Sequence, residues 1–147
     1  MPGGRTRRAG AGEARQRTGG HRHAVCALGG MTLPPPNANL FPHHRLIAYQ
    51  LALELVKLVA RTRISDAQLR QQARKSAASA ALNTAEGAAR QKLADKARAY
   101  AIALAECCEA CAAVEIAGAL GACAAADVQA VLALGVRLKN VLSRLVH

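Results

Sequence analysis

The chain has 147 residues, of which 52% are hydrophobic but only 2% aromatic, and its net charge is +11. This length suits one domain with a sizeable core, and the Ala-, Leu- and Val-rich composition favours helices over strands. The positive charge favours anionic partners such as nucleic acid, an acidic protein face or anionic lipid. An odd number of cysteines, five, and no visible secretory signal predict a reducing, cytoplasmic setting.

The first 40 residues are rich in Gly, Arg and Pro and show no hydrophobic periodicity. Low hydrophobicity and high charge predict a disordered basic tail over residues 1–40. Residues 1–30 hold six Arg and one Glu, a charge of 6 − 1 = +5. Met31 is a candidate initiator, in which case residues 1–30 would not be translated in vivo. The folded domain is predicted over residues 41–147.

Four helices are predicted in this domain. They extend from about His43 to Thr62, from Ser65 to Gly87, from about Gln91 to Leu120 and from about Ala125 to Val146. Because the connections are short, the predicted fold is all-α, an up-down-up-down antiparallel four-helix bundle.

Local signals mark the ends of the second and third helices. Ser65 and Gln68 form a capping-box pattern, with Asp66 favourably placed in the first turn. Gly87 and Gly121 suit the left-handed residue that often follows a helix.

The first helix is apolar on more than one side. Beyond its inner stripe it carries Leu46, Leu51, Leu53 and Leu58. This pattern predicts a second contact surface, either within the molecule or between subunits.

A polar stripe runs along the second helix. Its members recur at alternating spacings of four and three, which places them on one helical face: Gln72, Ser76, Ser79, Asn83 and Glu86. We expect a structural network that fixes helix register, with Tyr100, Glu106 and Glu109 available as partners. The alternative is a contact surface for RNA or a protein.

One end of the predicted bundle concentrates basic residues. The start of the first helix, the second connection and the end of the fourth helix meet there. The candidate nucleic-acid-binding residues are Arg45, Arg90, Lys92, Lys96, Arg98, Lys139 and Arg144. The opposite end carries Glu115 and Asp127, so the bundle should be electrically polarised. Because the basic end shows no aromatic interleaving for base stacking, binding should be driven by the phosphate backbone and insensitive to sequence.

Neither a metal site nor a catalytic constellation is predicted. Cys107 and Cys111 share a helical face, but Cys108 points elsewhere and Cys123 completes no tetrahedral zinc set. Small cysteines at alanine-like positions are the simpler interpretation. The stretch without Lys or Arg from Ala99 to Val136 is interrupted by acidic residues, which argues against a membrane span. No cofactor is expected.

The second predicted helix contains Asn83-Thr84-Ala85-Glu86-Gly87, preceded by the basic pair Arg74-Lys75. This pattern resembles the signature of the bacterial four-helix bundle proteins encoded in intervening sequences of 23S ribosomal RNA genes. The similarity covers about residues 43–147, and its most specific part is the stretch from Asn83 to Gly87. The chain departs from the family pattern at Thr84, at Ala80-Ala81 and at Ala105-Glu106, which replace an Ile, an apolar-Pro pair and a Gly-Ser pair.

This resemblance implies a ring-like homopentamer. A relative within the family, the accessory protein of diversity-generating retroelements, is a basic pentamer that binds a reverse transcriptase and nucleic acid. We therefore expect a non-enzymatic, oligomeric bundle that binds nucleic acid, or a reverse-transcriptase-like protein, through its basic end. The alternative is a purely structural or protein-interaction module that binds no nucleic acid.

Overall fold

The structure is a computed structural model that describes residues 41–147. The predicted disordered tail and the alternative start at Met31 lie outside the described residues. The described part contains a short 3-10 helix, Pro42–Arg45, and four α-helices. These are α1 (Ile47–Arg61), α2 (Ala67–Ala89), α3 (Leu93–Ala119) and α4 (Ala125–Val146). The predicted all-α four-helix bundle is confirmed.

Consecutive helices pack antiparallel, because residues late in one helix meet residues early in the next. The end of α2 lies against the start of α3, and the same relation holds between α3 and α4. The pairs that show this are Gly87 with Tyr100, Ser76 with Glu109, Cys107 with Gly135 and Gly118 with Val128. The helix order therefore gives the bundle two distinct ends.

The core combines two kinds of helix surface. α1 and α4 contribute large aliphatic side chains, of which Leu55, Leu138 and Leu142 are completely buried. α2 and α3 contribute mostly alanine: Ala73, Ala77, Ala80, Ala81, Ala99, Ala103, Ala110, Ala113 and Ala117. Small side chains let two helix backbones approach closely, so α2 and α3 form a tight pair against which α1 and α4 pack.

Gly87 does not end α2, which corrects the sequence prediction. The helix continues to Ala89 and is followed by Arg90 in an extended conformation. Gly87 is buried, and a Cβ placed on it would lie 2.5 Å from Cε1 of Tyr100. The residue is therefore a point of close approach between α2 and α3, where the ring of Tyr100 takes the space of a side chain.

The start of α2 and the end of α3 have the predicted caps, except that a different residue caps α2. Asp66, and not Ser65, caps α2, because its Oδ1 accepts a hydrogen bond from the Leu69 backbone N–H at 2.8 Å. Gly121 adopts a φ of 70° after α3. The Ala122 N–H donates to the Ala117 carbonyl at 2.8 Å and the Gly121 N–H to the Gly118 carbonyl at 3.0 Å, which is the Schellman arrangement.

The first predicted helix is divided in two. Leu46 is extended between the 3-10 helix and α1, so the α-helix begins at Ile47 and not near His43. The additional leucines lie inside the bundle: Leu51 and Leu58 are buried, and Leu46 and Leu53 pack against the core. The second apolar surface of α1 therefore makes contacts within the molecule.

We call the two ends of the bundle the basic pole and the linker pole. The basic pole holds the 3-10 helix, the α2–α3 connection and the end of α4. The linker pole holds the α1–α2 connection, residues 62–66, and the α3–α4 connection, residues 120–124. An antiparallel bridge between Ile64 and Cys123 joins these two connections, and the Ser65 N–H donates to the Ala122 carbonyl at 2.9 Å.

Candidate nucleic-acid interface

The predicted nucleic-acid-binding residues lie on exposed surface at or near the basic pole. Arg45 belongs to the 3-10 helix, Arg90 and Lys92 to the α2–α3 connection, and the others to the first turns of α3 and the second half of α4. All seven are exposed except Lys96, which is half-buried. Among residues 41–147, one ion pair is present, and it joins Arg90 to Glu86. Six of the seven cations therefore have no carboxylate partner in the described part of the chain.

Arg90, the residue after α2, is bound to Glu86 one helical turn earlier. Its Nε donates to Oε1 of Glu86 at 3.1 Å, and its Nη2 donates to the same oxygen. The hydrogen bond to this carboxylate raises the pKa of the Arg90 guanidinium, because it stabilises the charged form. Since the pair is exposed, its contribution to stability is small. Arg90 is nevertheless the least available of the seven cations.

A small cleft of about 310 Å³ lies between the end of α2 and the start of α3. Its lining mixes Arg90 and Arg98 with Glu86 and Asp95. Carboxylates and guanidiniums oppose each other there, so the cleft does not concentrate positive potential. The cationic character of the basic pole lies on its open surface.

An aromatic cluster stands beside Arg45, and the sequence analysis missed it. The rings of Phe41 and His43 stack with centroids 5.6 Å apart, and the centroids of His43 and Tyr49 are 4.5 Å apart. Burial and the neighbouring His44 lower the pKa of His43, which favours the neutral ring near pH 7. Phe41 is 65% exposed. The expectation that this end lacks aromatic rings for base stacking therefore overlooked Phe41.

The predicted polar stripe divides into separate groups, the first of which crosses to α3. Ser76 is buried, and its hydroxyl donates to Oε2 of Glu109 at 2.9 Å. The Gln72 amide donates to Oε1 of Glu109 at 2.8 Å and to the Ser76 hydroxyl at 3.2 Å. Glu109 thus accepts from two residues of α2, whereas Tyr100 packs its ring on Gly87.

The rest of the stripe makes local contacts. The Asn83 amide donates to the Ser79 carbonyl at 2.9 Å and to the Ser79 hydroxyl at 3.2 Å, both one turn earlier on α2. Glu86 pairs with Arg90, as described above. These three stripe residues are therefore engaged within α2 and its C-terminal cap.

The cysteines of α3 lie against α4. The Cys107 thiol is buried and donates to the Gly135 carbonyl at 3.6 Å. The neighbouring Cys111 thiol, together with burial, raises the pKa of Cys107, which favours its neutral thiol form. A Cβ on Gly135 would lie 2.2 Å from the Cys111 sulfur, which therefore takes the space of a side chain. In residues 41–147 no group of three or more potential metal ligands is found.

The linker pole carries a second set of basic residues. Arg61, Arg63, Arg70 and Arg74 line a cleft of about 590 Å³ between the two connections. This placement contradicts the predicted electrical polarisation, in which this end was the acidic one. In the sequence, this basic cluster is visible as four arginines between positions 61 and 74. Their convergence depends on the antiparallel return of α2 beside the end of α1.

Comparison with known proteins assigns the chain to a family. The family model described as 23S rRNA-intervening sequence protein matches residues 44–144, which cover more than half of the chain, α1 to α3 and all but the last two residues of α4. The protein belongs to this family. No curated protein sequence matches the chain. In the described part of this family member, no helix has the length and apolarity needed to cross a membrane.

Proposed function

We propose that this protein is a non-enzymatic, oligomeric four-helix bundle that binds nucleic acid through the phosphate backbone at its basic pole. The observation that carries the proposal is a set of six cations, five exposed and one half-buried, without carboxylate partners among the described residues. They are Arg45, Lys92, Lys96, Arg98, Lys139 and Arg144.

Exposed lysines and arginines on an open surface suit phosphate contacts better than base recognition. They neutralise phosphates and release condensed counterions, so affinity should fall steeply with salt concentration. Such contacts position a strand without reading its sequence. Phe41 adds an exposed ring beside Arg45, where a single-stranded base could stack. Single-stranded RNA is therefore the preferred ligand in this proposal.

Oligomerisation would strengthen weak contacts. In a homo-oligomer each subunit repeats the same cations, and linked sites raise the overall affinity without new contacts. A homopentamer is the assembly that the family resemblance implies. A reverse-transcriptase-like protein is the alternative partner for the same surface.

The test is a salt titration of a fluorescent single-stranded RNA by anisotropy, with the full chain and with residues 31–147. We expect both to bind at 50 mM salt, with a loss of about a hundredfold or more by 200 mM for a surface that contacts six phosphates. The variant Lys92→Glu/Lys96→Glu should weaken binding to all sequences alike. The control Lys57→Glu/Arg137→Glu makes the same charge change at exposed positions outside the basic pole.

Two results would contradict the proposal. One is binding that requires residues 1–30, which would transfer the activity away from the bundle. The other is equal loss in the basic-pole variant and in the control, which would show a response to net charge alone. Either result would favour the structural or protein-interaction module.

A further inference from the structure

We propose that the cleft at the linker pole, here called the arginine cleft, is a binding site for a phosphate group carried by a nucleotide or by the end of a nucleic-acid strand. This site lies at the opposite end of the bundle from the basic pole. It does not rest on the function proposed above.

The arginine cleft is formed by two connections that are joined to each other. The α1–α2 connection supplies Arg63, and the flanking helices supply Arg61, Arg70 and Arg74. The α3–α4 connection forms the facing wall, held in place by the Ile64–Cys123 bridge. A volume of about 590 Å³ holds a phosphate ester of nucleotide size.

Two of the four guanidiniums are fixed by backbone carbonyls. Nη1 of Arg70 donates to the Ile64 carbonyl at 2.7 Å and to the Ser65 carbonyl at 3.3 Å. Nη2 of Arg74 donates to the Ala60 carbonyl at 3.0 Å. A carbonyl orients a guanidinium without neutralising it, and the remaining N–H groups stay available. Arg70 and Arg74 are thus oriented before any ligand binds, which lowers the ordering cost for these two of the four cations.

The charge of the cleft is not cancelled nearby. Three carboxylates lie at this pole: Asp66, Glu115 near the end of α3, and Asp127 in the first turn of α4. Asp66 accepts from the Leu69 N–H as the cap of α2. None of the three forms an ion pair with an arginine in the described part of the chain. Lys75 extends the basic surface along α2 beside Arg70 and Arg74. The pole therefore has an excess of positive charge around a concave surface.

The distribution of donors favours phosphate over carboxylate. One guanidinium fork satisfies a carboxylate, whereas a terminal phosphate has three strong acceptor oxygens that take donors from several directions. The arginine cleft offers donors from both ends of the α1–α2 connection and from α2. Across the cleft, Ala124 occupies the cap position of α4 and provides no side-chain acceptor, so the N–H groups of the first turn of α4 add positive potential.

The test is a titration of the full chain with inorganic phosphate, pyrophosphate and a nucleoside triphosphate, followed by amide NMR shifts and by thermal melting. We expect shifts at residues 61–65 and 121–126 and a rise in melting temperature. Arg61→Glu/Arg63→Glu removes two cations whose side chains make no hydrogen bond within residues 41–147. It should weaken pyrophosphate binding at least tenfold, and the control Lys57→Glu/Arg137→Glu should stay within threefold of wild type.

The source of the phosphate is decided by comparing ligands. Tighter binding of the nucleoside triphosphate than of pyrophosphate identifies a nucleotide site. Preference for a 5′-phosphorylated oligonucleotide over its 5′-hydroxyl form identifies a strand-end site. If the charge-reversal variant fails to fold, Arg61→Gln/Arg63→Gln gives the same comparison.

The proposal is overturned if the amide shifts fall outside the cleft, if the control weakens binding as much as the cleft variant, or if a glutamate-rich peptide competes better than pyrophosphate. The last outcome would identify an acidic protein partner. None of these results depends on RNA binding at the basic pole, so the two proposals fail separately.

Discussion

Gly87 shows how a single hydrogen atom sets the distance between two helices. The ring of Tyr100 occupies the position of its missing side chain, with Cε1, Cδ1 and Cζ all within 3 Å of an added Cβ. Tyr100 is itself 6% exposed, so its ring has little room to move away. The intrinsic preference of helices for alanine and the packing requirement therefore act in opposite directions at this position.

We predict that Gly87→Ala lowers the free energy of unfolding. Helix propensity alone would stabilise the variant by about 1 kcal/mol, but overpacking against the ring costs about 1–3 kcal/mol and should prevail. Chemical denaturation measures the difference. The double variant Gly87→Ala/Tyr100→Leu should be more stable than additivity predicts, because the smaller side chain relieves the clash. A Gly87→Ala variant more stable than wild type would disprove this account.

Ser76 is the second residue at which a substitution should change stability measurably, because its hydroxyl is buried. Ser76→Ala should cost about 1 kcal/mol through the lost hydrogen bond to Glu109. Asn83→Ala should cost less, because the half-exposed Asn83 amide contacts only Ser79 on the same helix. Thermal melts of the two variants give the order. A larger loss of stability in Asn83→Ala than in Ser76→Ala would mean that Asn83 has a partner outside the subunit.

At the scale of helices, the sequence predicts the existence and order of the elements well. The predicted bounds of α4 agree with the structure, since Val131, Leu138 and Leu142 repeat at helical spacing. The ends of α2 were less predictable. A glycine after Glu86 has the same appearance in sequence whether it stops a helix or admits a neighbouring ring. Which of the two roles Gly87 has depends on Tyr100, and the contact between them requires that α3 pack antiparallel to α2.

Contacts between distant parts of the chain also limit the prediction of the candidate sites. The cations of the basic pole were identified because helix order alone brings them together. The arginine cleft was not identified, because it requires the α3–α4 connection as its second wall. The aromatic cluster was missed because Leu46 interrupts the helix, so that His43 packs on Tyr49 and Phe41 stacks on His43.

The start of α2 gives a test of the assigned cap. We predict that Asp66→Ala destabilises the protein by about 1 kcal/mol, because the Leu69 N–H loses its acceptor. Ser65→Ala should have a smaller effect, since its exposed hydroxyl makes one long hydrogen bond, 3.3 Å, to the Ala122 carbonyl. Urea denaturation of the two variants gives the free energies of unfolding to be compared. An equal or larger loss at Ser65 would restore the capping box predicted from the sequence.

At the scale of the whole molecule, α2 and α3 carry several exposed apolar side chains. Leu82 on α2 is 71% exposed and Leu93 at the start of α3 is 82% exposed, with Ile102 41% exposed further along α3. α2 and α3 pack against each other, so these residues offer surface for contact with another subunit. Obligate interfaces bury apolar area of this kind.

We predict that the protein is a homo-oligomer, a pentamer by family resemblance, whose interface includes Leu82 and Leu93. Light scattering at micromolar concentration should give a mass well above the 15.3 kDa of one chain. Leu82→Glu/Leu93→Glu should reduce the mass, because charges replace apolar contacts. Val136→Glu, a change at another exposed apolar position on α4, should leave it unchanged. A monomer in the wild-type sample would refute the assembly.

The alanine-lined contact between α2 and α3 also bears on how the chain folds. An alanine side chain has no rotamers to lose, so burying it costs almost no side-chain entropy, whereas a long side chain costs up to about 2 kcal/mol. The two helices are joined by a connection of three residues, and their contacts are local in sequence, which is typical of rapid folding. The α2–α3 hairpin can therefore form early and serve as the template on which the leucines of α1 and α4 assemble.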